Sequence, residues 1–227
     1  MGIPILWFRL EGPLQSWGER SHWDYRDTSE FPSKSGVVGL LACALGWERD
    51  DVRIGELSDK LTMSVRADRP GELLVDYHTI TADLLLNAEG KQRKGSNTIL
   101  SHRSYLQDAS FVVGLTGNRE LLEFLREALE HPVWVTYLGR KSCVPSVPII
   151  GRITDEYDSL RDAMYGLPLA DRLEKGAKAI LIESDSTDGS GQNRTDLRIA
   201  SAERQYRSRR VITEAMKIPE GKNNVSQ

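Results

Sequence analysis

The chain has 227 residues, with 30 Lys plus Arg against 33 Asp plus Glu, a net charge of −3, and is 39% hydrophobic and 28% charged. That composition excludes disordered and fibrous classes and lacks the overall basic footprint usual for a nucleic-acid binder. There is no apolar run of about 18 residues to cross a membrane, no signal-peptide pattern at the start, and only Cys43 and Cys143, too few for a disulfide framework or zinc knuckle, so a soluble cytoplasmic protein without cofactor or metal is expected.

Ile3 to Leu10 is apolar and stops near the breaker pair Gly12-Pro13, as a buried strand does. A polar and aromatic loop follows, with Gln15, Ser16, Trp17, His22, Trp23, Tyr25 and Arg26. Ser33, after Pro32, suits the N-cap of a helix to Leu45, whose apolar face is Val37, Val38, Leu41, Ala42 and Leu45; Gly46 ends it. Leu61 to Arg69 alternates like a half-buried strand, with Met63, Val65 and Ala67 on the inner side. Between Glu72 and Leu106 two β-like arms run to and from a basic, turn-rich tip, which predicts a long hairpin at about 72–106. An arm with so little core of its own usually exists to touch something. Phe111 to Leu115 reads as a strand, and Asn118 caps a helix carrying Leu121, Leu122, Leu125, Ala128 and Leu129. Pro132 stops that helix, and Val133 to Tyr137 is the next expected strand. The order predicts an α+β fold: a ferredoxin-like (RRM-like) βαββαβ palm over 1–148 with the hairpin inserted as a thumb. Residues 149–227 are expected to form a small, mainly β C-terminal domain. It would hold a strand at Ala177–Ile182, a mobile polar loop at 184–196 and a basic strand at Arg204–Val211.

Charge is unevenly distributed along this order. Residues 90–107 hold Lys91, Arg93, Lys94 and Arg103 and no carboxylate, a local +4. Residues 140–152 hold Arg140, Lys141 and Arg152, a local +3, and residues 198–227 carry a further +4. These stretches total +11 and leave −14 for the rest of the chain. Each is readable as a solvated loop; convergence on one face would make a site for an anionic ligand.

No His or Cys stands at metal-ligand spacing, and neither HExxH nor CxxC occurs. His131 suits the negative end of a helix dipole, and Cys43 lies on a core face. His78 and His102 sit on opposite arms of the hairpin, near Tyr77, Arg103 and Tyr105. A metal-independent ribonuclease needs such groups as base, acid and phosphorane-stabilising cation; the same side chains serve equally to stack bases and grip phosphates. Ser33-Lys34-Ser35-Gly36 lacks the first glycine and the residue order of a P-loop. Its amides, hydroxyls and lysine at a helix start compose either a phosphate seat or an ordinary capped helix.

Several blocks occur together in order: Gly12-Pro13-Leu14-Gln15-Ser16-Trp17-Gly18, Phe31-Pro32-Ser33-Lys34-Ser35-Gly36-Val37-Val38-Gly39-Leu40-Leu41, and Asp76-Tyr77-His78-Thr79. Tyr105-Leu106-Gln107-Asp108-Ala109-Ser110-Phe111, Tyr137-Leu138-Gly139-Arg140-Lys141-Ser142-Cys143, Arg204-Gln205-Tyr206 and Val225-Ser226-Gln227 follow. On these blocks the chain resembles the CasD-like subunits of type I-E Cascade, within the repeat-associated RNA-binding superfamily. The resemblance implies a palm, a β-hairpin thumb and a small C-terminal domain. It further implies a non-catalytic CRISPR RNA-binding subunit that holds the 5′ handle in antiviral defence and touches a CasA-like large subunit and CasC-like backbone subunits. Target DNA would be met through the guide–target duplex. Relatives in type I-C systems cleave repeat RNA, so a metal-independent endoribonuclease processing CRISPR repeats is the alternative. RNA phosphates are expected against Ser33, Lys34 and Ser35 and against Arg140 and Lys141. Handle bases are expected near Trp17, Arg26, His78, Arg103 and Tyr105. Arg204, Arg207 and Arg209 would complete the basic surface, and Lys91, Arg93 and Lys94 at the thumb tip would meet guide–target backbone or a neighbouring subunit.

Overall fold

The computed structural model describes residues 2–22, 24–82, 85–86, 89–91, 98–173, 179–199 and 205–218. Its elements are β1 (Ile5–Glu11), β2 (Leu14–Gln15), β3 (Tyr25–Arg26), α1 (Lys34–Ala44), α2 (Arg53–Lys60), β4 (Thr62–Arg69), β5 (Glu72–Thr81) and β6 (Thr98–Gln107). There follow β7 (Ser110–Thr116), α3 (Arg119–Glu130), β8 (Arg152–Thr154), α4 (Leu160–Gly166), β9 (Ala179–Asp185), β10 (Gln192–Arg198) and β11 (Tyr206–Lys217). The result is an α+β fold with mostly antiparallel sheets. One seven-stranded sheet has the order β10-β11-β9-β4-β7-β1-β8, and a smaller sheet joins β2, β3 and β5 to β6. The expected thumb is the β5–β6 hairpin, paired from Glu72↔Gln107 to Thr81↔Thr98. Among the described residues no helix is long and apolar enough to cross a membrane.

Both expected caps operate. The Ser33 hydroxyl accepts from Gly36 N, and the Asn118 side chain accepts from Glu120 N. Gly46 ends the first helix at φ +69, a conformation that costs glycine little. Helices α1 and α3 cover one face of the large sheet, where Phe8, Val38, Leu41, Val65, Val113 and Leu125 form the main core. Helix α4 covers the other face with Ile5, Val112, Met164, Ile180 and Ile182. Covering both faces explains why β4, expected half-buried, is buried along nearly its whole length. Helices α2 and α4, of eight and seven residues, lie in stretches where no helix was predicted.

A buried charge fixes α4 to the sheet. Arg66, wholly buried on β4, donates to Asp68 Oδ1 at 2.6 Å and to the carbonyls of Met164, Leu167 and Pro168 at 2.5, 2.9 and 2.7 Å. Asp68 also accepts from Arg9 at 2.8 Å and from Ala170 N at 2.7 Å. One guanidinium thus satisfies the Met164 carbonyl in the last turn of the helix, which has no partner within it, and the two carbonyls just beyond the helix end.

Two expectations are corrected. Val133–Tyr137 forms no strand: after Pro132 the chain runs past the end of α1, where Val133 N donates to Ala44 O at 2.8 Å. The strand beside β1 is β8 instead, paired through Ile5↔Thr154 to Trp7↔Arg152. Nor is 184–196 a mobile loop. Strand β9 runs to Asp185, β10 starts at Gln192, and Asp188 Oδ1 between them accepts from Ser186 Oγ, Ser190 N and Ser190 Oγ. Gly189 and Gly191 supply the positive φ that this turn needs. The sheet is also continuous across the expected boundary at 148/149, because β9 pairs with β4 from Ser64↔Ser184 to Ala67↔Leu181.

Candidate nucleic-acid interface

The expected phosphate seat at the start of α1 is filled by the protein itself. Asp196 Oδ2 accepts from Lys34 N at 2.7 Å, occupying the free amide that an anion would use. Lys34 is buried, with Nζ donating to Leu61 O at 2.6 Å and to Asp185 at 2.9 Å. Ser33 is buried as the cap, and Ser35 is half-buried in the first turn. Arg209, expected on the RNA surface, is buried too and pairs with Asp185 and Asp196. Arg194 bridges Glu183 and Glu19. These residues make a closed ionic cluster that ties β9, β10 and β11 to α1. Polar sequence at 192–196 hid it, because alternation marks apolar cores and not paired charges.

Titration of that cluster has a definite sign. Burial raises the Glu183 carboxyl to about 7, reinforced by Asp196 and Asp185 and opposed by Arg209. Burial works to raise Asp196 as well, yet the hydrogen bonds and charge of Arg209 hold it below the ordinary carboxylate range. Glu183 therefore binds its proton more tightly in the folded chain, and ionising it opposes folding. Its favourable contribution is complete below 4.5, declines as pH rises, and is lost above about 7. Unfolding of the wild type against Glu183→Gln at a series of pH values should show the wild type losing relative stability across that window. A pH-independent difference would contradict the assignment.

At the base of the thumb the geometry is different. The loop after β2 is folded around Trp17, which is 1% exposed and donates Nε1–H to Gln15 Oε1. Trp17 is therefore core, not the base-stacking ring that was expected. Asp27 gathers the loop by accepting from Glu19 N, Arg20 N and Ser21 Oγ. This places β3 parallel to β6, with Tyr25 beside His102 and Arg26 beside Arg103. Gly139, at φ +89, brings the 138–143 turn so close to Ser16 that a Cβ would collide with its carbonyl. Ser16 N donates to Leu138 O at 3.0 Å, and Cys143 N closes the turn on Arg140 O.

That close approach lays Arg140 across the site. Its guanidinium carbon stands 4.8 Å from the Tyr105 ring centroid, and Nη2 donates to Arg26 O and Asp27 O at 3.0 and 3.2 Å. Tyr105 is buried beneath it. Arg26 Nε and Arg140 Nη1 are buried and find no acceptor among the described residues, an arrangement that native proteins seldom leave. Arg103 donates to Ser101 Oγ at 3.2 Å. Among the described residues, none of these three arginines has a carboxylate within ion-pair distance. Lys141 follows Arg140 on the exposed side of the turn. Two of the three basic stretches thus meet here, around Arg103 and Arg140, with Arg26 between them.

The third stretch does not join them. Arg207 pairs with Asp59 at 2.6 Å, and Arg209 is in the buried cluster. Arg204, Arg93 and Lys94 lie outside the described residues. Lys91 is at the tip, 4.0 Å from Glu89. His78 and His102 do not form an acid–base pair. His102 is opposite Tyr77 and His78 opposite Ser101, so the two imidazoles project from opposite faces of the ribbon. His78 shares the arginine face, with Nδ1 3.7 Å from Asp76.

Comparison with known proteins gives a consistent set of relatives. The family described as CRISPR-associated protein (Cas_Cas5) matches residues 5–212. The chain is 36% identical over 156 residues to "CRISPR system Cascade subunit CasD" of Escherichia coli (strain K12), covering 62% of this chain and 67% of that protein. A chain of a solved "CRISPR RNA-guided surveillance complex" superposes with a TM-score of 0.76 at 34% identity, over 95% of this chain and 91% of that one. A "Crystal structure of Cas protein" gives 0.72 at 38% identity, over 96% and 99%.

Proposed function

The chain belongs to the CRISPR-associated Cas5 family, and on that premise we propose that it is the CRISPR RNA-binding, CasD-type subunit of a type I-E Cascade complex. In this role it is non-catalytic and holds the 5′ handle of the guide RNA. The observation that carries the assignment is the cluster of Arg26, Arg103 and Arg140, none of them ion-paired among the described residues, with two buried donors still to be satisfied. Phosphate oxygens have the charge and lone pairs to satisfy them. Lys141 would extend the phosphate path, and His78 would stand at its edge. The palm strand order β4-β7-β1-β8, with α1 and α3 on one face, supports the ferredoxin-like assignment. Residues 149–227 extend that palm as its C-terminal part. The thumb, with Lys91 at its described tip, would reach the guide–target duplex, and the remaining surface would face CasA-like and CasC-like subunits in the cytoplasm.

The test is direct. Purified protein incubated with repeat-derived RNA in EDTA should retain handle-containing RNA on a filter and leave it intact. Specific cleavage that disappears with His78→Ala would move the assignment to a processing ribonuclease.

A further inference from the structure

The thumb base presents a second feature on the face away from the arginines. Tyr77 on β5 is paired with His102 on β6, which is paired in turn with Tyr25 on β3. Paired residues project to the same face, so three rings stand side by side across three adjacent strands. The Tyr77 and His102 ring centroids are 5.2 Å apart and tilted by 51°. All three are solvent-exposed, Tyr25 by 49% and Tyr77 by 56%. Packing in the core does not account for them, and cross-strand contact alone accounts for only a small part of their apolar area.

We propose that the row Tyr25–His102–Tyr77 is a stacking platform for unpaired bases of single-stranded RNA, a contact distinct from the arginine cluster. It rests on the RNA-binding role proposed above. The chemistry fits bases better than an apolar peptide: every base has a π-face, and tyrosine and histidine give flat apolar bodies with polar rims. Charge points the same way. Arg26 and Arg103 immediately follow Tyr25 and His102 in sequence and project to the opposite face. Strand β3 is only two residues long and, among the described residues, no further strand pairs beyond it. A single strand rounding that edge meets arginine on one side and the rings on the other, backbone gripped first and bases laid down next.

The experiment uses the full chain and a single-stranded handle RNA carrying a fluorescent purine analogue, titrated at several salt concentrations. Replacing Tyr77 and His102 by Leu keeps apolar volume and removes the stacking rings. The double variant should bind on the order of tenfold or more weakly, lose most of the fluorescence quenching, and keep the wild-type salt slope. Tyr77→Phe should bind as the wild type does, and an abasic version of the RNA should not distinguish wild type from the double variant. Unchanged affinity and quenching in the Leu variant, with binding still weakened by Arg26→Ala and Arg103→Ala, would overturn the platform and leave the RNA role standing. Such a result would also be the one given by a row that seats a protein neighbour. Failure of the wild type to bind the RNA at all would overturn both.

Discussion

Replacing Arg26, Arg103 and Arg140 together by Ala is expected to lower affinity for handle-containing RNA on the order of a thousandfold. A hydrogen bond between charged partners contributes about 1.5–3 kcal/mol, and each tenfold in affinity is about 1.4 kcal/mol. Three contacts therefore reach that size even when shared unevenly. Salt dependence supplies a separate readout. Single-stranded binding loses about 0.7 in the slope of log K against log salt for each phosphate contact removed, so the triple variant should flatten the slope by about 2. The corresponding triple Lys variant keeps the charge but not the planar fork. It should preserve the slope while losing part of the affinity. An unchanged slope in the Ala variant would remove these residues from the phosphate path. Arg140 also donates to Arg26 O and Asp27 O, so its structural share is read from thermal unfolding of the single variant.

Arg66→Ala is expected to produce the largest loss of stability, about 3–5 kcal/mol. The substitution leaves Asp68 buried with one cation fewer and strands three carbonyls at the end of α4 and just beyond it. Total stability of a domain is about 5–15 kcal/mol, so this is a substantial fraction. The melting temperature should fall by roughly 10 °C. Arg66→Lys should recover only part, because an ammonium cannot span Asp68 and the carbonyls together. A loss below about 1 kcal/mol, the scale of an exposed ion pair, would mean that α4 is not held through this guanidinium.

What was legible in the sequence followed its periodicities and caps. Ser33 and Asn118 announced their helices, and the alternation from Leu73 to Ile80 with the return at Asn97 to Tyr105 announced the thumb. Arg103 and Arg140 were legible as basic residues in stretches lacking carboxylates. Their meeting point was not, because it depends on β3 pairing in parallel with β6 and on a glycine turn approaching Ser16, both long-range events. Lys34 misled for the reverse reason. A lysine and two hydroxyls at a helix start look like an anion seat until a carboxylate 162 positions away in sequence fills it. Segment 184–196 was too polar to be recognised as ordered, since its burial depends on charges neutralised by Lys34, Arg194 and Arg209. Tyr25 and Tyr77 could be found by parity once the register was known: residues opposite His102 must share its face.

The pairing of β9 with β4 bears on how this chain can be divided. A fragment ending at residue 148 would retain β4 with one flank stripped bare, lose the short strand that closes the other side beside β1, and leave Arg66 without the carbonyls it binds. Lys34 would lose Asp185, and the first helix would lose the carboxylate at its N-terminus. The C-terminal piece would be left with four strands, and Asp185 and Asp196 would keep Arg209 but lose Lys34. In hereditary terms the two halves are bound to travel together: an exchange between homologues that cut at this seam would have to carry matching charges on both sides.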